Sequence, residues 1–255
     1  MKPVLIFQPG MVGDLLFVQK IAKTYAATGR RVIMPVLQKH SWVYDALVMP
    51  ANIETPILDT EAFDFRDELL FLSDKIALSP IEGPNYTFLS LFFSWRYAPE
   101  QTMDLKYRVA GMDMADWADH VELRRDLAKE EALFKLLGLD DGEPYALLNE
   151  HGSNSQIQFT HKAPEKEVRL RPIEGYSLFD WSTVIERAAR IATIDTSLVL
   201  LVEILKIRDK PLSVVSRYEP PSFRIQNILR LDWLFYFRAE HLTFSEGAPG
   251  LSARD

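Results

Sequence analysis

The chain has 255 residues, enough for one large domain or two small ones at about 100–200 residues each. With 47% hydrophobic and 25% charged residues its usage is that of a globular protein, which excludes a disordered or fibrous chain. A formal charge of -7 argues against a non-specific binder of nucleic acid or membrane, and the absence of cysteine excludes disulfides, thiol nucleophiles and cysteine-held metals.

In chain order, Val4 to Phe7 is an apolar run of strand length, as in a strand covered on both faces. It leads into the turn Gln8 to Asp14, after which Leu15, Val18, Ile21, Ala22 and Tyr25 recur at helical spacing up to Gly29. Arg31 to Val36 predicts the next strand, so the start reads as a βαβ unit with parallel strands. Thr55 to Leu58 predicts a third strand, and Tyr86 to Phe93 a fourth strand or a buried helix. Residues 103–120 read as helix, with Met114 and Trp117 on one side, and Asp126 caps a helix that Gly138 ends. The most apolar stretch, Tyr86 to Trp95, covers about half a membrane span. The opening residues are too short and broken an apolar run for a secretory signal, so a soluble, cytoplasmic protein is expected.

Asp140 to Pro144 is a cluster of turn residues that separates a lobe at 1–140 from the remainder of the chain. A fresh strand at 145–149 then runs into His151-Gly152-Ser153-Asn154, and Val168 to Leu170 predicts another strand. Ser177 and Asp180 have capping-box spacing ahead of Trp181, Val184, Ile185 and Ala188. The strand Ile191 to Ile194 precedes Asp195-Thr196-Ser197, which opens a helix with Leu198, Leu201, Val202 and Leu205 as its core stripe. Leu212 to Val215 predicts the last strand, and Ser222 to Phe237 an aromatic-rich helix. The expected architecture is α/β: two Rossmann-like lobes, at 1–140 and a reduced 141–220, with a C-terminal helix and tail at 221–255.

Two strand-end turns carry residues suited to chemistry. In the first, Gly10 and Gly13 let the backbone come close to a ligand, and Asp14 stands either as a helix cap or as a base at the strand's carboxyl edge. The spacing is neither a dinucleotide fingerprint nor a P-loop. In the second half, His151 to Asn154 and Asp195 to Ser197 occupy matching strand ends, where hydroxyls and helix-start N–H groups can cap the helix or hold a diphosphate. Lys162, Lys166, Arg169 and Arg171 lie nearby as counter-charges or as a solvated loop, and Glu203 faces either a ribose or solvent. The five histidines show no paired metal spacing, so no metal site is expected, and no G-x-S-x-G elbow is present.

Together these pieces resemble two-lobed GT-B glycosyltransferases, with the heptosyltransferase-like family 9 as the nearest named relative. Val12-Gly13-Asp14-Leu15 is similar to that family's first turn. Leu136-Leu137-Gly138-Leu139 followed by Tyr145 to Gly152 is similar to the opening of its second lobe. Ile194-Asp195-Thr196-Ser197 matches its Asp-Thr-Gly segment with Ser197 in place of glycine, and Leu200 stands where the family has histidine. The resemblance implies a sugar moved from a nucleotide-diphosphate sugar to an acceptor hydroxyl, with Asp14 as the base and no tightly bound cofactor. It places His151, Gly152, Ser153, Asn154, Asp195, Thr196 and Ser197 near the diphosphate and the loop of Gly175 beside the base; Lys162 and Glu203 are assigned to the donor on their own chemistry, since the family's lysine-bearing segment is not recognisable. The changed histidine position means that the heptose donor is not carried over.

A GT-B-like protein that binds without catalysis is a second reading. A third is a transferase acting on modified nucleic-acid bases, for which Arg96, Arg108, Arg124 and Arg125 would form a basic patch. The acceptor, whether glycan, small molecule or modified base, is not read from the sequence. Tyr86, Phe92, Phe93, Trp95 and Tyr97 either line its site or form core.

Overall fold

The computed structural model describes residues 1–58, 79–92, 103–152, 156–161, 165–217, 225–236, 241–244 and 251–253. The chain divides into two compact units, Met1–Arg124 and Arg125–Asp255.

In the first unit, β1 (Val4–Phe7) is the centre of a five-stranded sheet. Parallel β2 (Val32–Ile33) lies on one side of it, followed by β4 (Ile53–Glu54). Parallel β7 (Thr87–Ser90) lies on the other side, followed by antiparallel β6 (Ile81–Glu82). The ambiguous run from Tyr86 is thus a strand where it is described; Phe93, Trp95 and Tyr97 lie outside the described residues. The strand expected over 31–36 splits at Met34-Pro35, because proline has no N–H to continue the ladder. Beyond the break β3 (Val36–Leu37) pairs with β5 (Ile57–Leu58) in a small sheet of its own.

The first turn leads into α1 (Val12–Phe17), then α2 (Gln19–Ala27), and α3 (Trp42–Asp45) follows β3. Of the helix expected over 103–120, only α4 (Leu105–Ala110) and a 3-10 turn at Trp117–His120 form, since Gly111 turns the chain left-handed. Trp117 is nonetheless fully buried, its ring 5.2 Å from that of Phe17. The Tyr107 ring of α4 lies 4.8 Å from Phe17 as well.

The second unit begins ahead of the turn at 140–144. Asp126 caps α5 (Leu127–Leu136) as expected, accepting from the Lys129 N–H at 3.0 Å. The buried Glu130 carboxylate of that helix accepts from the Thr183 N–H and hydroxyl of α6 (Ser182–Arg187), at 3.1 and 2.8 Å. Arg125 bridges Glu130 and Glu186. These ties attach α5 to the second unit rather than to the lobe expected at 1–140.

The main sheet of this unit is wholly parallel and has five strands. Its centre is β8 (Tyr145–Asn149) beside β11 (Arg190–Ile194), with β10 (Lys166–Arg169) at one edge. On the other side come β12 (Leu212–Val215) and then β13 (Trp233–Tyr236). Ala146, Leu148, Ala192, Ile194 and Val215 form one apolar cluster, covered by Phe159 of β9 (Gln158–His161). Strand β9 belongs to a separate sheet with β14 (His241–Phe244) and β15 (Leu251–Ala253). Ser177 and Asp180 form the expected capping box, but it starts a 3-10 turn that α6 continues.

The expected C-terminal helix is not what the described residues form. Trp233 to Tyr236 is strand β13, and only Gln226–Ile228 makes a 3-10 turn. The tail therefore completes the second unit's sheet, and that unit is as long as the first rather than reduced. Glu203, on α7 (Ser197–Ile204), explains why the chain takes this course. Its carboxylate accepts from the Arg230 and Leu231 N–H groups and from Trp233 Nε1 at 2.7 Å. Among the described residues no helix is long and apolar enough to cross a membrane.

Replacing Glu203 with Leu leaves three part-buried donors without their acceptor and frees the entry to β13. The expected loss is about 2–4 kcal/mol of unfolding free energy, with Glu203→Gln losing less. Urea denaturation followed by tryptophan fluorescence checks this.

Candidate functional site

The carboxyl end of β1 carries the first cluster. Gly10 is buried there, and a Cβ on it would stand 3.1 Å from Leu37 Cδ1 and 3.4 Å from His40 Cδ2. The next residue, Met11, has φ 67, a strained value for a side chain of its size, and its own side chain does not cap α1. Val12, Gly13 and Asp14 form the first turn of that helix.

Asp14 faces Lys106 of α4. The ammonium lies 3.2 Å from Asp14 Oδ1, with the lysine side chain 6% exposed and the aspartate 24%. Lys106 also donates to Gln8 Oε1 at 2.6 Å and to the Leu91 carbonyl at 2.8 Å. Gln8 is itself fully buried and turns its amide to the Gly10 carbonyl at 2.9 Å. Burial pushes the pKa of Lys106 down, and the Asp14 carboxylate pulls against that shift. Burial and the neighbouring Lys39 also lower the pKa of His40, whose ring lies against Gly10.

Sequence reasoning missed Lys106 and Gln8. The signal for Lys106 was its place three and four residues before Val109 and Ala110, on the buried side of α4, with Arg108 on the outer side. Gln8 was visible only as the first polar residue after a buried strand.

The second cluster lies at the carboxyl edge of the second unit's sheet, where β8, β11 and β12 all end. Asn149 Nδ2 donates to Thr193 Oγ1 at 2.9 Å and to Thr196 Oγ1 at 2.8 Å, joining the ends of β8 and β11. Thr196 is the N-cap of α7, and Ser197 is that helix's first residue. Asp195 is buried and takes Arg217 Nε at 2.6 Å, while Arg217 Nη2 reaches the Asp195 carbonyl at 2.7 Å. Burial raises the pKa of Asp195, and the Arg217 guanidinium opposes the rise. His151 is exposed and bridges back to Gln156. Gly152 comes next, while Ser153, Asn154 and Lys162 lie outside the described residues.

Some of the residues considered for the donor already have partners within the fold. Gly175, at φ 82, makes a tight turn in which the Tyr176 N–H meets the Ile173 carbonyl at 3.0 Å. Glu203 faces neither a ribose nor solvent, because the 230–233 segment takes its oxygens. Lys166 turns to the Gly138 carbonyl and Asp141, and Arg169 to Glu150 and Glu167. Leu200, at the family's histidine position, is core. Of the arginines considered for the third reading, Arg125 is held by Glu130 and Glu186 and Arg108 by Asp104, while Arg96 lies outside the described residues. No three His, Asp or Glu side chains among the described residues form a group able to hold a metal ion.

No family model and no curated protein sequence matches the chain. Solved structures do. The glycosyl transferase family 9 structure from Veillonella parvula DSM 2008 matches at TM-score 0.55 and 10% identity, over 92% of this chain and 87% of that one. E. coli ADP-heptose lps heptosyltransferase II matches at TM-score 0.47 and 12% identity, over 94% and 92%. E. coli heptosyltransferase WaaC, solved with ADP-2-deoxy-2-fluoro heptose, matches at TM-score 0.41 and 14% identity, over 93% of each chain. The fold is thus α/β with largely parallel sheets, similar to that of the family 9 glycosyl transferase structure.

Arg217→Ala leaves the Asp195 charge buried without its partner, and at neutral pH costs about 3–5 kcal/mol of stability. A carboxyl whose folded pKa is raised contributes stability at low pH that is lost as pH rises through the folded value. The cost of Arg217→Ala therefore shrinks from neutral to acidic pH, as Asp195, whose pKa burial raises, takes up a proton. Urea titrations of both proteins at the two pH values measure it.

Proposed function

We propose that the chain is a glycosyltransferase that moves a sugar from a nucleotide-diphosphate sugar to an acceptor hydroxyl. The observation that carries this reading is Asp14, a partly exposed carboxylate held by a buried lysine at the carboxyl end of the central parallel strand. It occurs in a fold similar to a family 9 glycosyltransferase.

In the proposed reaction Asp14 takes the hydroxyl proton as the acceptor oxygen forms its bond to the anomeric carbon. The bond from that carbon to the diphosphate breaks, and its electron pair leaves with the diphosphate. Donor binding is assigned to the carboxyl edge of the second unit. Thr196, Ser197 and the first turn of α7 supply hydroxyls and N–H groups for the diphosphate, and His151, Gly152, Ser153, Asn154 and Lys162 are assigned to the donor with them. Asp195, tied to Arg217, shapes this edge rather than touching an anion of its own sign. Gly175 and its turn flank the nucleotide base. The donor comes and goes as a substrate, and a cytoplasmic setting fits a chain without cysteine.

A binding protein without turnover is the second reading, favoured by the buried Leu200 and by the full occupation of Glu203. Calorimetric titration with ADP, GDP and UDP tests the shared premise: one of them binds, and no binding at millimolar concentration refutes both readings. Asp14→Asn then separates the two. A glycosyltransferase loses about 10²–10⁴-fold in turnover while its nucleotide affinity is unchanged. A binding module has no turnover to lose.

A further inference from the structure

A lysine that is almost wholly buried costs stability, and a chain keeps one where an apolar residue would serve the core better. Lys106 is such a residue, and its surroundings define what it can do. An ammonium has three donors, and here all three have acceptors: Asp14 Oδ1, Gln8 Oε1 and the Leu91 carbonyl. No donor is left for a substrate, which separates Lys106 from a residue that binds an acceptor or a diphosphate.

Its partners also come from separate parts of the first unit. Gln8 follows β1, Leu91 follows β7, and Asp14 lies on α1, while Lys106 itself comes from α4. Gln8 and Leu91 are fully buried and fix the ammonium from behind. Asp14 is the one partner with appreciable exposure, so the fixed charge meets the carboxylate on its inner side.

We propose that Lys106 is the positioning residue for Asp14, holding its carboxylate in one rotamer at the sheet edge. The proposal rests on the reading of Asp14 as the base, and it assigns a second residue to that function. Lys106 acts through Asp14 and touches no reacting atom. Gln8 in turn holds Lys106, through an amide whose other end is committed to the Gly10 carbonyl. The turn that presents Asp14 and the lysine that orients it are thereby joined by one buried glutamine.

The test compares wild type, Lys106→Met and Asp14→Asn by two independent readouts. The first needs no ligand: three-bond couplings to the Asp14 carboxyl carbon report its χ1 rotamer in solution. Wild type gives the couplings of a single rotamer, and Lys106→Met gives averaged ones. Couplings that stay unchanged in Lys106→Met overturn the proposal. The second readout is turnover, followed as release of ADP, GDP or UDP from the matching nucleotide-sugar. Lys106→Met lowers kcat by about 10–100-fold, as misplacement of a reacting group does, and leaves KM for the nucleotide-sugar within about twofold. A purely structural tie predicts kcat and KM unchanged in whatever fraction is folded, and that result also overturns the proposal. Averaged couplings together with full activity in Asp14→Asn overturn the base reading alone and leave the positioning claim supported. Should Lys106→Met fail to fold, Lys106→Gln, which keeps an N–H donor without the charge, carries both readouts.

Discussion

A single buried charge organises the first unit. The Lys106 ammonium sits at the point where β1 and β7 end and α1 begins, and it needs acceptors on every side because water does not reach it. Meeting that need fixes the side chain of Gln8 and the carbonyl of Leu91, and it sets where Asp14 stands. The cost is visible in the lowered pKa of the lysine, which burial drives and Asp14 only partly offsets. A core optimised for stability alone would have an apolar residue here; proteins accept such costs where a site requires them.

The second unit solves a related problem with other residues. All its main-sheet strands run parallel, so their connections leave from one edge and collect polar side chains there. Asn149 ties the end of β8 to that of β11, and Arg217 ties the end of β12 back to Asp195. The edge is thus built from neutral amide and hydroxyl groups beside one compensated charge pair. Glu203 does its work away from that edge, at the far end of α7, where it turns the tail into the fifth strand. A carboxylate in an apolar helix that looked like a ligand contact is instead what closes the sheet.

The range of each interaction decides whether the sequence reveals or conceals it. Val4 to Phe7, the glycine turn and the helical spacing from Leu15 are local signals, and they placed Asp14 at a strand end correctly. The same holds for the Asp126 cap and the Ser177–Asp180 box. The unit boundary depended on Arg125 and Glu130 reaching Thr183 and Glu186 more than fifty residues on, which no local pattern announces. Trp233 to Tyr236 is a short apolar run whose period does not separate strand from helix; pairing with β12 decided it. Lys106 was hidden because a lysine in a helix reads as a solvated residue, and only its tertiary partners show otherwise. The residues proposed for the donor were legible as polar groups, but which were already occupied was not: Glu203 and Asp195 have their partners 27 and 22 residues away.

The claim that these two clusters serve sugar transfer rests on where a nucleotide sits. Crystals soaked in turn with ADP, GDP and UDP test it most directly. The account predicts a diphosphate at the carboxyl edge of the second unit's sheet, against Thr196, Ser197 and the start of α7. A diphosphate bound away from that edge, with the Asn149–Thr196 and Asp195–Arg217 groups untouched, would contradict it.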